Sequence, residues 1–479
     1  MERLYKELEK YSRNGDYPFH MPGHKRNPLT VDADFPFERD ITEIDGFDNL
    51  HHPQGIILDA QKEAAQLYGS RECFFSVNGS TAALLSAVSA SVKRGGQILM
   101  ARNCHKAVYH AVYLRDLKPT YIYPHIVDEF GINGGITPSR VKRALEENPD
   151  IEVVLVTSPT YDGVVSDIAG IARVTAEHNI PLIVDEAHGA HFRFSDYFPG
   201  SAVDLGADLV VQSFHKTLPS MTQTAVLHRC SDRVSGESLK RFMGIYQSSS
   251  PSYILMASMD ACMDKMKRDG REMFQKFTKN LGEIRERLEK CSCIRLAASD
   301  MIGHAGIFDY DRSKLLFFTD RSSLNGRMLH EILSSEFHLQ MEMDSLNYVT
   351  AIASVGDTGE GLMRLCEAIE EIDRRESLKI REEKKKDIPE KFSPYIPMKQ
   401  ISGIADAMEA PMKRCPLEES IGRVSAEFVY LYPPGIPILV PGEQITGQFV
   451  RNMRLYMDQG LDLQGLSDYT NKTICIVGE

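Results

Sequence analysis

Between Ile56 and about His228 short apolar runs alternate with amphipathic stretches, and this alternation constrains the fold more than any other property of the chain. LDAQKEAAQLYG, STAALLSAVSASV, HKAVYHAVYL, PSRVKRALEEN and IAGIARVTAEHN have helical spacing. ECFFSV, QILMA, TYIYP, EVVLVTS, PLIVDEA and ADLVVQSFHK read as strands. Runs such as EVVLV and PLIV are apolar on both faces, as expected when helices cover both sides of a parallel sheet. The class this implies is α/β.

A chain of 479 residues has room for a large core and one or two smaller units. Residues 1–55 carry a short helix and then turn formers and prolines, so they read as an arm. The large domain is expected over 56–274. A smaller α+β domain is expected over 275–380, from a long amphipathic helix at FTKNLGEIRERLEK, strands at KLLFFTD and NYVTAIASV, and a helix at GEGLMRLCEAIEEIDRR. The charge run ESLKIREEKKKDIPEKFSP reads as a solvated helix end and linker. A C-terminal unit completes the range 381–479.

A net charge of -12 argues against a broad nucleic-acid-binding surface and suits cationic substrates. The N-terminal stretch lacks the apolar core of a signal peptide, and no run of roughly 18 apolar residues occurs, which points to the cytoplasm and away from a membrane. The nine cysteines form no CxxC pair and read as reduced thiols.

Two strand ends carry the chemistry. Lys216 lies in QSFHKT, and Asp185 ends PLIVD, so both belong at the carboxyl edge of the sheet, where open α/β proteins hold ligands. A lysine that forms an imine and an acid that keeps a pyridine nitrogen protonated are the pair that pyridoxal 5'-phosphate (PLP) needs. Taken alone, Lys216 reads as a solvated lysine and Asp185 as a helix N-cap. FFSVNGSTAALL offers a strand, a turn through Asn78 and Gly79, and a helix opening on Ser80 and Thr81, a ready site for the phosphate dianion. No Walker loop or GxGxxG fingerprint is present.

FHMPGHKR, VNGST, RNCHKAV, SPTYDGV, VDEAHGAHF, QSFHK, SSSPSY and YPPGIPILVPGE, in this order, resemble the Orn/Lys/Arg decarboxylase family of PLP enzymes. The resemblance implies fold type I, the aspartate-aminotransferase fold, with a mixed, mostly parallel sheet in the large domain. It implies that Lys216 holds the cofactor, Asp185 meets its ring nitrogen and His105 stacks on the ring. Ser80, Thr81, Ser213 and His215 are then similar to the phosphate shell. Ser249 and Ser250 match a segment that reaches the neighbouring subunit's phosphate, which implies a homodimer or higher oligomer with shared sites. His188 stands where larger relatives have an aromatic residue and is assigned to the cofactor shell. The chain begins almost directly at the arm, without a long receiver-like domain, and so resembles the family's shorter form.

The expected reaction is decarboxylation of a basic amino acid, arginine first because the short forms resemble biosynthetic arginine decarboxylases of polyamine synthesis, with lysine and ornithine open. His215 or the freed Lys216 is expected to return the proton to Cα. Asp45, Asp48 and Glu427 are the candidates for gripping the distal cation. An aminotransferase or another PLP lyase of the same fold is the rival, because reaction choice depends on pocket geometry. A polyamine-sensing relative without catalysis should lack Lys216 or Asp185, and both are present. No metal is expected: His20 and His24 span Pro22 and Gly23, and His188 and His191 come with no obvious third ligand.

Overall fold

The computed structural model describes residues 2–27, 31, 33–127, 131–297, 299–380, 396–431 and 435–478. Most of the expected linker and residues 432–434 of the YPPG motif lie outside the described residues.

Seven strands form the central sheet: β1 Glu72–Ser76, β2 Gln97–Ala101, β3 Lys118–Ile122, β4 Ile151–Thr157, β5 Leu182–Asp185, β6 Leu209–Ser213 and β7 Ala225–Arg229. Their order is β1-β7-β6-β5-β4-β2-β3. From β3 to β6 neighbours run parallel, whereas β7 runs antiparallel to both β6 and β1. Every residue of β5 and β6 is buried, which is why PLIV and LVV carry no polar alternation. Thr157 of β4 lies opposite Asp185 of β5, and Asp185 lies opposite Val211 of β6. The carboxyl ends of β5 and β6 therefore open onto one crevice.

The helix Tyr253–Leu288 is 36 residues long and passes through the boundary expected at 274/275. Its apolar face, which includes Met256, Met263, Phe274, Phe277 and Leu281, lies in one core with Leu4 and Leu8 of the arm and with Phe317 and Leu333 of the smaller domain. The arm is further fixed by Arg3, which reaches Glu63, Asp260 at 3.1 Å and Asp264 at 2.7 Å. The smaller domain is an antiparallel four-stranded sheet of Arg295–Leu296, Lys314–Phe318, Tyr348–Ile352 and Met343–Asp344, flanked by the helices Gly326–Phe337 and Gly359–Ile380. The pair Val164–Val165 with Asp309–Tyr310 stitches this domain to the loop after β4.

The C-terminal unit has its own core around Val429, Leu439, Phe449 and Met453. It docks through a buried ion pair in which Arg102 Nη2 lies 3.2 Å from Glu443 Oε2, each side chain 1% exposed. Arg102 Nη1 also donates to the Pro437 carbonyl at 2.6 Å, and Lys106 N–H donates to that of Gly435 at 3.2 Å. The segment 102–106, which carries His105, is thereby held against the C-terminal unit.

Candidate active site

Lys216 projects from the one-turn helix Phe214–Thr217 that follows β6 directly. The Thr224 carbonyl fixes this turn, accepting from Phe214 N–H at 3.1 Å and from His215 Nδ1 at 2.9 Å. Asp185 ends β5 only 3% exposed, and its Oδ1 accepts from Ala187 N–H at 3.2 Å. Among the described residues no cation pairs with Asp185, so the acid and Lys216 interact across a gap. Burial pushes the Asp185 carboxyl up and the Lys216 ammonium down, and each opposes the other's shift.

His105 caps the helix Lys106–Arg115, its Nδ1 accepting from Ala107 N–H at 3.2 Å, so the helix start fixes the ring. Burial first, then the charges of Lys216 and Lys106, hold its pKa down at about 3, so the ring is neutral. His188 is buried with Nε2 3.0 Å from Lys216 Nζ.

The turn after β1 places Gly79 at φ +70°, a conformation that favours glycine. Asn78 gives no side-chain bond to the helix that starts there; its Oδ1 accepts instead from Ser248 N–H at 3.2 Å. Gly79 N–H donates to the Gln223 carbonyl at 2.9 Å, and the N–H groups that follow it are left for another acceptor. Ser80 Oγ accepts from Ser213 Oγ at 3.0 Å, which joins this turn to the end of β6, and Thr81 is exposed beside it. Ser249 and Ser250 are exposed, following Ser248 on that turn.

Two expected substrate residues are engaged by local backbone donors. Asp48 is saturated: its carboxylate accepts the N–H groups of Asn49, Gln54, Gly55, Ile57 and Leu58 and caps the helix Ile56–Tyr68. Glu427 accepts from Ser467 N–H at 2.8 Å and Cys475 N–H at 2.7 Å, so it clips the C-terminal unit together. Asp45 is exposed on the arm.

The sequence reading passed over Lys314 and Glu342. Lys314 is fully buried, with Nζ 2.8 Å from His188 Nδ1. Glu342 accepts from the Tyr161 hydroxyl and is close enough to draw up the pKa values of both Lys216 and Lys314. No periodic signal marks either residue, since each joins the crevice only through the packing of the smaller domain. The histidines of the metal question have other partners: His20 meets the Tyr11 hydroxyl at 2.7 Å, His24 meets Asp40 at 3.2 Å and His191 meets Asp311 at 3.2 Å.

Residues 2–323 match the family model of the Orn/Lys/Arg decarboxylase major domain, and residues 384–467 match that of the Orn/Lys/Arg decarboxylase C-terminal domain. An arginine decarboxylase of Bacillus subtilis is 34% identical over 483 residues, covering 99% of this chain and 98% of the relative. Among solved structures, the lysine decarboxylase of Francisella novicida shares the fold with a TM-score of 0.83 at 20% identity, covering 99% of this chain and 80% of that one. A serine palmitoyltransferase of Sphingomonas wittichii matches 67% of this chain and 76% of its own, with a TM-score of 0.53 at 16% identity, so the core shares that enzyme's fold. With its major and C-terminal domains both matched, the chain belongs to the Orn/Lys/Arg decarboxylase family.

Proposed function

We propose that the chain removes the α-carboxylate of a basic L-amino acid, arginine before lysine or ornithine, with PLP linked to Lys216. One observation carries this reading: a part-buried lysine in the turn just after β6 and a buried acid at the end of the adjoining parallel β5 face each other electrostatically and do not pair. That gap, near the neutral ring of His105 and a helix start that its N-cap side chain does not bond, fits a flat pyridine ring with a phosphate. When bound, PLP supplies the electron sink into which the Cα–carboxylate bond breaks.

The chain's own residues do the rest. Burial lowers the pKa of the Lys216 ammonium, which favours the free amine that an imine needs. Asp185 would keep the ring nitrogen protonated, and Ser80, Thr81, Ser213 and His215 would hold the phosphate. His215 donates Nδ1–H to the Thr224 carbonyl, so its neutral form has only a lone pair at Nε2, and burial lowers its pKa. Lys216, which would take up the substrate ammonium's proton on being displaced, is therefore the better donor of the proton to Cα. Glu342, oriented by Tyr161, offers a carboxylate for a guanidinium or ammonium, with Asp45 as the second candidate.

A second copy completes the site in this reading. Ser249 and Ser250 are exposed beside the phosphate turn, and Tyr17, Phe19 and Met21 of the arm are 71%, 89% and 64% exposed, an apolar strip that a homodimer partner would cover. All nine cysteines are unpaired, as suits the reducing cytoplasm. No helix among the described residues is long and apolar enough to cross a membrane.

The test is incubation of the purified chain and PLP with arginine, lysine or ornithine separately, measuring carbon dioxide and amine. The expected result is agmatine formed fastest, with no keto-acid acceptor required. Release of carbon dioxide from none of the three would overturn the reading.

A further inference from the structure

Behind Lys216 stands a second lysine in a seat built for it. Lys314 opens the strand Lys314–Phe318 with its side chain fully buried, a rare environment for lysine. Its aliphatic stem lies against Gly163 of the SPTYDGV motif, which has φ +92°. A Cβ there would come within 2.8 Å of Lys314 Cγ and 3.2 Å of Tyr310 Cε2. Tyr310 donates its hydroxyl to the Lys314 carbonyl at 3.0 Å. The ammonium lies 5.7 Å from the ring centroid of Tyr161, whose ring also packs edge-on against His188 with centroids 5.0 Å apart.

The result is a line of three groups. Lys314 Nζ lies 2.8 Å from His188 Nδ1, and His188 Nε2 lies 3.0 Å from Lys216 Nζ. An ammonium donates and cannot accept, so His188 Nδ1 must be the acceptor from a charged Lys314. A neutral imidazole then carries its hydrogen on Nε2, aimed at Lys216 Nζ, which accepts it only as a free amine.

We propose that Lys314 is a positioning residue that fixes the tautomer of His188 and thereby holds Lys216 as the free amine. This rests on the reading above, in which Lys216 forms the link to the cofactor. The carboxylates facing Lys314 are Asp311, Glu342 and Asp162, and Lys216, whenever protonated, is the opposing cation. Those facing Lys216 are Asp185 and Glu342, with His105, His188 and His215 around it. Burial lowers Lys314 to about 8, so it remains mostly charged at neutral pH.

The cofactor-free protein provides the test. Reductive methylation with formaldehyde and cyanoborohydride across a pH series, read by mass spectrometry at Lys216, reports where its free amine appears. In Lys314→Met the charge is lost and His188 is free to accept from a charged Lys216, so both effects raise the midpoint. We expect a rise of about one pH unit and about tenfold slower labelling near neutral pH. Lys314→Arg, which keeps charge and donors, is expected to stay near wild type. A midpoint in a folded Lys314→Met protein equal to that of wild type would overturn the inference. A second measurement needs no variant at Lys314: nitrogen-15 histidine spectra of the wild-type apoprotein, assigned with His188→Gln, are expected to show His188 protonated at Nε2 alone, and protonation at Nδ1 would equally overturn it. Neither readout requires turnover. Failure of the functional reading would show separately, as the absence of a borohydride-fixed link between Lys216 and PLP.

Discussion

Glu342 is the acid that the smaller domain brings to Lys216, and Glu342→Gln separates substrate binding from chemistry. The variant keeps the shape and an acceptor for Tyr161 but loses the charge that a guanidinium would meet. We expect KM for arginine to rise about tenfold or more, with a smaller change in kcat; equal kinetics in variant and wild type would remove Glu342 from the site. Lys216, Asp185 and Ser80 can be placed as candidates from the sequence because each sits next to a strand end or helix start whose position the apolar pattern fixes, whereas His105 is a candidate only through the family resemblance. Lys314 was not legible, because a lysine opening KLLFF looks the same whether it faces solvent or the interior, and Glu342 was not, because nothing in LQMEMD sets this exposed acid apart from any other on the surface. Only the smaller domain's packing decides the position of each.

Among the elements, Asp48 shows how a residue in a suggestive motif can have a local task. It sits in EIDGFDNLHH, which invited a substrate role, yet five backbone N–H groups converge on it. Those bonds hold its carboxyl below the usual range, against the upward push of burial. The stabilisation is therefore present above the ordinary carboxylate pKa and lost as pH falls through the lower folded value. Asp48→Ala is expected to cost about 1 kcal/mol in urea unfolding at neutral pH, with a smaller difference in acid; a variant as stable as wild type at neutral pH would contradict the capping role. The strands and crossover helices of the large domain follow the sequence pattern closely. β7 escaped it because AVLHR is short and polar at its end, and antiparallel insertion beside β6 buries His228, whose Nε2–H donates to Gln212 Oε1 at 3.2 Å. The helix Tyr253–Leu288 was read only in its second half, because its first half is buried on several faces and lacks a polar stripe.

Across the whole molecule, a buried charge pair is among the contacts that couple the C-terminal unit to the site. Burying Arg102 with Glu443 contributes little net stability, but removing one partner leaves the other charge desolvated and alone. Glu443→Ala is thus expected to cost about 3–5 kcal/mol in urea unfolding, whereas Arg102→Met with Glu443→Leu should recover most of that loss. A single variant as stable as wild type would show that the pair does not hold the unit in place. The domain arrangement in the sequence reading rested on composition and motif order, and the shared core that runs from Leu4 to Ile372 joins the arm, the large domain and the smaller domain more closely than that pattern suggested.

The central claim is that residues 185 and 216 serve one cofactor ring, and the most direct measurement is chemical fixation. Protein reconstituted with PLP is reduced with borohydride, digested and mapped by mass spectrometry, in wild type and in Asp185→Asn. The account expects a single cofactor adduct on Lys216 in both proteins, with the visible absorption of the bound cofactor altered before reduction in Asp185→Asn. An adduct on another lysine, or an Asp185→Asn spectrum identical to that of wild type, would contradict it.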